Sequence, residues 1–277
     1  MKNKILAFLA VVTLLLFSPG ARAAGTNEDM ADLKALISQI QTKLHDGKRT
    51  EAELSDELKQ FDVLIAKHKG EKRDVAAQIV YMKAMLYLEV FEEPAKGTEM
   101  IKQIKRDYPD TAIGKRADEI LATLAKQEAA KKILAGFVIG SKLPDFNEKD
   151  INGKSFSIGN YKGNVVLVDF WATWCGPCVA ELPNVLETYQ KHHAQGFEIV
   201  SISLDEDQHK LESFIKEKNM TWQQFFDGKG WGNKLAAKYG VQSIPATFLL
   251  DGNGNIIAKD LRGEELEIAV SKALAKK

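Results

Sequence analysis

One stretch constrains this chain of 277 residues more than any other: the apolar run Val165-Val166-Leu167-Val168 and, shortly after it, Trp174-Cys175-Gly176-Pro177-Cys178. The run is rich in β-branched residues and does not alternate with polar ones. That is the pattern of a short strand covered on both faces, which occurs where helices pack on both sides of a sheet. A helix is expected from about Gly176 toward Gln195, with a kink at Pro183. The two cysteines are the only ones in the chain. Two thiols separated by two residues at a strand-to-helix junction close into a disulfide and reopen without refolding, so the stretch reads as a redox site.

The residues around it extend the same pattern. A hairpin through Asp150 to Gly153 and a strand Phe156 to Ile158 precede the buried run. A second buried strand, Phe197 to Leu204, follows, then helices Gln208 to Lys218 and Trp231 to Tyr239. The chain closes with a strand Ala246 to Leu250, a turn at Asp251 to Gly254, a strand Ile256 to Leu261 and a helix Glu264 to Leu274. This order describes an α/β domain, 136–277, with a central mixed sheet flanked by helices.

Residues 24–135 read differently. Apolar residues recur at three- and four-residue spacing, glycines are few, and about five helices are expected. The first ends at Asp46-Gly47. The second is capped by Thr50 with Glu53 as a capping box, the third carries a wide apolar face from Val75 to Val90, and the fourth starts at Pro94. The turn Tyr108-Pro109-Asp110-Thr111 resembles the inter-repeat turns of tetratricopeptide-like helical hairpins over about twenty residues, without that repeat's Trp, Gly and Tyr positions. Two readings stand side by side: a protein-interaction or self-association module, and a plain helical bundle.

Lys2 and Lys4, the apolar Ile5 to Phe17 and the small-residue pattern Ala21-Arg22-Ala23 form a secretory signal peptide, 1–23, cleaved after Ala23. The apolar run is shorter than the roughly 18 to 20 residues a spanning helix needs. The expected location is therefore periplasmic or extracytoplasmic, where structural disulfides are usual. A bridge between Cys175 and Cys178 closes too small a ring to stabilise much, which favours chemistry over stapling. Lys plus Arg and Asp plus Glu both number 38, so the chain lacks the positive field that a nucleic-acid partner demands.

Val168-Asp169-Phe170-Trp171-Ala172, Trp174 to Cys178 and Ser243-Ile244-Pro245-Ala246-Thr247 together resemble a thioredoxin fold. The hairpin entry, the Phe197 to Asp205 segment and Glu181 resemble in particular the exported thioredoxin-like oxidoreductases of the TlpA/ResA type. The resemblance covers about half of the chain. Cys175, at a helix start, faces unpaired N–H groups and the positive dipole end, which favour thiolate and make it the nucleophile. Cys178, one turn in and less exposed, then resolves the mixed disulfide. Gly176 leaves the site uncluttered and Pro177 suits an early helix position.

The resemblance further implies that Asp169 and Glu181 are acids able to handle the Cys178 proton. It also implies that Ile244-Pro245 is a cis-proline loop facing the cysteines, although cis is a minority state at roughly 5% of X-Pro bonds. Trp174 and Trp171 are expected in an apolar collar around the pair. The implied function is reduction of protein disulfides, with a membrane thiol as electron donor or acceptor, no cofactor, and cytochrome maturation as a family-level role. The Gly-Pro dipeptide is that of thioredoxin, whose potential lies near −270 mV, which favours a reductant.

Rival readings fit less well. A zinc site needs two further ligands, and the five histidines are scattered. A thiol peroxidase wants Thr three residues before its reactive Cys, where Ala172 stands before Cys175. Asp251 to Asn255 lacks the Gly and Glu of a calcium loop, and Gly228 to Gly232 lacks the Lys-Ser/Thr of a phosphate loop, so both read as turns. A partner-binding or scaffold protein on the same fold remains the alternative from another class.

Overall fold

The computed structural model describes residues 29–70 and 72–276; the signal-type segment 1–23 lies outside them. The chain divides into two compact units between Lys126 and Gln127.

In the first unit, helices α1 (Asp29–His45), α2 (Ser55–His68), α3 (Arg73–Glu89) and α4 (Pro94–Asp107) lead into α5 (Ala112–Gly136). Helix α3 serves two cores, as its wide apolar face suggests. Val75, Ile79, Met82 and Leu86 join Leu36, Ile40 and Phe61, whereas Ala76, Ala77, Val80 and Ala84 join Ile101, Ile104, Tyr108 and Ala117. The Thr50–Glu53 capping box forms, with the Glu53 N–H donated to Thr50 Oγ1 at 3.3 Å and the Thr50 N–H to Glu53 Oε2 at 3.0 Å. It closes a turn, however, and α2 itself starts only at Ser55.

The second unit opens with a two-stranded hairpin, β1 (Glu148–Lys149) and β2 (Ser155–Phe156). The expected strand Phe156 to Ile158 stops at Phe156 because side chains take over its backbone. Asp145 Oδ1 accepts the Ile158 N–H at 2.8 Å, and Ser157 Oγ accepts the Asn160 N–H at 3.1 Å, which turns the chain into a 3-10 turn, Ile158–Tyr161.

The main sheet has the order β5-β4-β3-β6-β7. Its strands are β3 (Val165–Trp171), β4 (Phe197–Ser203), β5 (Gln224–Phe225), β6 (Ala246–Leu250) and β7 (Ile256–Lys259). Strand β3 is central and buried at every position, pairing in parallel with β4 and antiparallel with β6. Helices α6 (Gly176–His192), α7 (Gln208–Glu217), α8 (Lys234–Lys238) and α9 (Glu264–Leu274) complete the unit. Pro183 lies within α6, which continues to His192. The expected helix from Trp231 to Tyr239 is divided by Asn233, whose Oδ1 accepts the N–H groups of Leu235 and Ala236 and so starts α8 afresh. Strand β7 ends at Lys259, two residues early, where Asp260 takes a left-handed backbone at φ 54°.

The register sets up the site. Asp169 on β3 stands opposite Ser201 on β4 and Thr247 on β6. Because side chains alternate along a strand, Asp169 shares a face with Leu167 and Trp171. Residues of α6 and α9 cover that face: Cys178, Glu181, Leu182 and Leu266 bound one small cavity together with Leu167, Asp169 and Trp171. The opposite face carries Phe170, whose ring meets those of Tyr239 and Phe248.

Candidate active site

Cys175 is the N-cap of α6, with an extended backbone, and its Sγ accepts the Cys178 N–H at 3.2 Å. Pro177 occupies the first turn, where its missing N–H costs nothing. The two sulfurs are joined in a disulfide. Both cysteines are buried in this oxidised form, Cys175 at 5% and Cys178 at 7% exposure, so the expected difference between them is absent. The bridge accounts for this, since it holds the Cys175 sulfur inward over the first turn of α6.

The turn that delivers Cys175 is fixed from the end of β4. Asp205, itself buried, accepts the Thr173 N–H at 3.1 Å, the Thr173 hydroxyl at 2.6 Å and the Ser203 hydroxyl at 2.7 Å. The Leu204 N–H donates to the Trp171 carbonyl at 2.8 Å. These bonds satisfy polar groups that the end of the central strand would otherwise leave unpaired.

Asp169 is the buried acid of the site. Burial pushes its pKa up from 3.8 to about 7; the Arg262 cation opposes this, the Glu181 carboxylate adds to it, and a hydrogen bond from Ser201 opposes it again. The neighbouring cavity, ≈ 20 Å³, is lined by Asp169, Cys178, Glu181, Pro245, Thr247 and Arg262 among others. Glu181 is not a solvated surface residue: its Oε1 accepts the Gly263 N–H at 2.7 Å and its Oε2 accepts from Asn184 at 3.3 Å.

The Ile244–Pro245 peptide is cis; both residues are half-buried, and Pro245 borders this cavity. Trp174, Gly176 and Pro177 are exposed around the cysteines. Trp171 is not part of the collar. It is buried, donates its Nε1–H to Gln224 Oε1 at 3.0 Å and packs on Phe214, so it belongs to the core. The second collar residue is Trp231, 49% exposed, with its ring centroid 6.1 Å from that of Trp174.

Sequence reasoning passed over Trp231, Asp205 and Arg262 as site residues. Asp205 closes the recognised segment Phe197 to Asp205, and two residues after a hydroxyl-bearing Ser203 at a buried strand end an acid is a signal of a local clamp. Trp231 and Arg262 carry no such local signal, because each reaches the site only through the fold.

A mixed five-stranded sheet, a disulfide-forming pair at the start of the helix after its central strand, and a cis proline bordering the same cavity define a thioredoxin-fold dithiol protein. Residues 139–276 match the Redoxin family. Over 138 residues the chain is 32% identical to the thiol-disulfide oxidoreductase ResA of Bacillus thuringiensis subsp. konkukian, covering 50% of this chain and 78% of that protein. It is 35% identical over 124 residues to the thioredoxin-like protein YneN of Bacillus subtilis, covering 44% of this chain and 70% of that one. Among solved structures, the thioredoxin domain of a Bacteroides vulgatus thiol-disulfide oxidoreductase is 34% identical, with 49% of this chain and 96% of that one aligned and a TM-score of 0.45. The chain belongs to the Redoxin family, and its C-terminal half is of the ResA thiol-disulfide oxidoreductase type.

Proposed function

We propose that the chain is an extracytoplasmic reductase of protein disulfides. The carrying observation is the pairing of a Cys175 sulfur at a helix N-terminus with a buried acid, Asp169, on the cavity that Cys178 lines. In the reduced protein the Cys178 N–H and the helix dipole favour a Cys175 thiolate. That thiolate attacks one sulfur of a substrate disulfide; the substrate's S–S bond breaks, a Cys175–substrate S–S bond forms, and the first substrate thiolate leaves.

Asp169, as carboxylate, then takes the proton of Cys178, and the Cys178 thiolate attacks Cys175 Sγ. The second substrate thiolate leaves and is protonated. Two electrons have passed to the substrate, and the Cys175–Cys178 bridge is the oxidised product, which a membrane thiol donor returns to the dithiol. Asp169 is favoured over Glu181 for the proton because both Glu181 oxygens already accept hydrogen bonds. The cavity has room for one water, which needs about 10–15 Å³ and polar partners, to link the carboxyl to the Cys178 sulfur. Trp174, Gly176, Pro177, Ile244 and Pro245 form the surface that a substrate strand meets, and Trp231 extends it.

Reduction of insulin disulfides with dithiothreitol tests this reading. The wild-type chain accelerates it, and a wild-type rate no faster than that of Cys175→Ser would sink the proposal. A redox titration placing the pair well above about −180 mV, among the strong oxidants, would reverse the direction of electron flow.

A further inference from the structure

Arg262 follows β7 and has no part in the reaction scheme above, yet it contacts several groups of the site. One guanidinium nitrogen, Nη2, donates to the Pro245 carbonyl at 2.6 Å; the other, Nη1, donates to the Leu261 carbonyl at 2.6 Å and to Thr247 Oγ1 at 3.3 Å. Thr247 is the β6 partner of Asp169 in the register, and the same guanidinium lines the cavity of Asp169, Glu181 and Cys178. Arg262 also lines a second cavity, of ≈ 260 Å³, together with Ser243, Pro245, Ala246 and Asp260. It is thus shared between a cavity beside the cis proline and the cavity of the buried acid.

We propose that Arg262 is a positioning residue of the dithiol site, tying the Pro245 turn to the Asp169 cavity so that the substrate-facing loop and the proton-handling acid are held as one unit. Two features of the geometry support it. A planar fork reaches the Pro245 carbonyl from one nitrogen and Thr247 from the other, a spread that the single nitrogen of an ammonium does not have. Arg262 is also the only cationic side chain among the described residues lining the inner cavity, where the facing groups are Asp169 from β3 and Cys178 and Glu181 from α6. Asp260, which accepts the Thr247 N–H at 3.2 Å, faces it from the second cavity. With two carboxyls against one cation, the guanidinium sets how readily Asp169 can carry charge, and its field lowers the Asp169 pKa against the effect of burial.

The inference rests on the dithiol reading for its kinetic arm only. Carboxyl NMR of aspartate-labelled, oxidised full-length protein follows Asp169 without any turnover. Arg262→Gln is expected to move the Asp169 midpoint up by about one unit, as loss of a nearby opposite charge does. Arg262→Lys is expected to leave that midpoint near the wild-type value while raising KM for a protein disulfide several-fold at unchanged kcat. An unmoved midpoint in a folded Arg262→Gln protein, or an unmoved KM in Arg262→Lys, overturns the proposal. Where Arg262→Gln does not fold, the double variant with Asp169→Asn decides: recovery of the fold on neutralising Asp169 supports the charge pairing, and failure to recover overturns it. An inactive wild-type chain with the expected NMR shifts would instead count against the reductase reading alone.

Discussion

Asp169 is held near its own midpoint at neutral pH, since burial has pushed it to about 7 from 3.8. Below pH ~4 the folded and unfolded chains both carry it neutral, and it contributes nothing to the pH dependence of stability. Between about 4 and 7 the unfolded chain releases this proton first, so stability falls as pH rises; above 7 both states are ionised and the loss stays constant. A shift of this size corresponds to about 4 kcal/mol. Asp169→Asn is therefore expected to match the wild type in urea melts near pH 4 and to be more stable by up to that amount at pH 8. The same variant should slow disulfide reduction by about 100-fold, the lower range for a lost general acid or base. An Asp169→Asn advantage that did not grow with pH would remove the buried-acid claim. This residue was legible in the sequence because it lies in an apolar strand at the place where the thioredoxin resemblance implies a buried acid. Arg262, its counter-charge, was not, because nothing in Leu261-Arg262-Gly263 says that β7 returns beside β3 through β6.

Elements were legible where their ends are decided by neighbours in the chain. Strand β6 and helix α9 begin and end where apolar spacing placed them, at Ala246–Leu250 and Glu264–Leu274. Elements were misread where a distant side chain decides, as when Asp145 takes the N–H groups of Ile158 and Gly159 and halts β2. The turn between β3 and α6 is the consequential case, since it is held by Asp205 from the end of β4. Asp205→Ala would leave the Thr173 N–H and two hydroxyls without their acceptor, at a cost of about 2–4 kcal/mol. Denaturation midpoints should show that loss, together with slower disulfide reduction, because Thr173 lies two residues before the nucleophile. Wild-type stability in the variant would show that water replaces the carboxylate without penalty.

Each unit of the whole molecule has its own core, so we expect each to fold alone. The sequence placed the second domain's start at 136, in front of Phe137. Gly240, at φ 66°, lies so close to α5 that a Cβ there would stand 2.3 Å from the Ala130 carbonyl oxygen. We therefore propose that the redox domain begins near Gln127. A fragment 127–277 should reduce insulin as the full chain does, and a fragment 136–277 should melt at a lower temperature; equal melting temperatures would refute the placement. The collar has a consequence at this scale too. The sulfurs are nearly hidden, while Trp174 is 53% exposed beside Trp231. A partner arriving from solvent meets indole before it meets sulfur, so the sorting of partners precedes the exchange of electrons. A small thiol covers neither ring, whereas a polypeptide long enough to lie across both gains apolar contact before any bond is made.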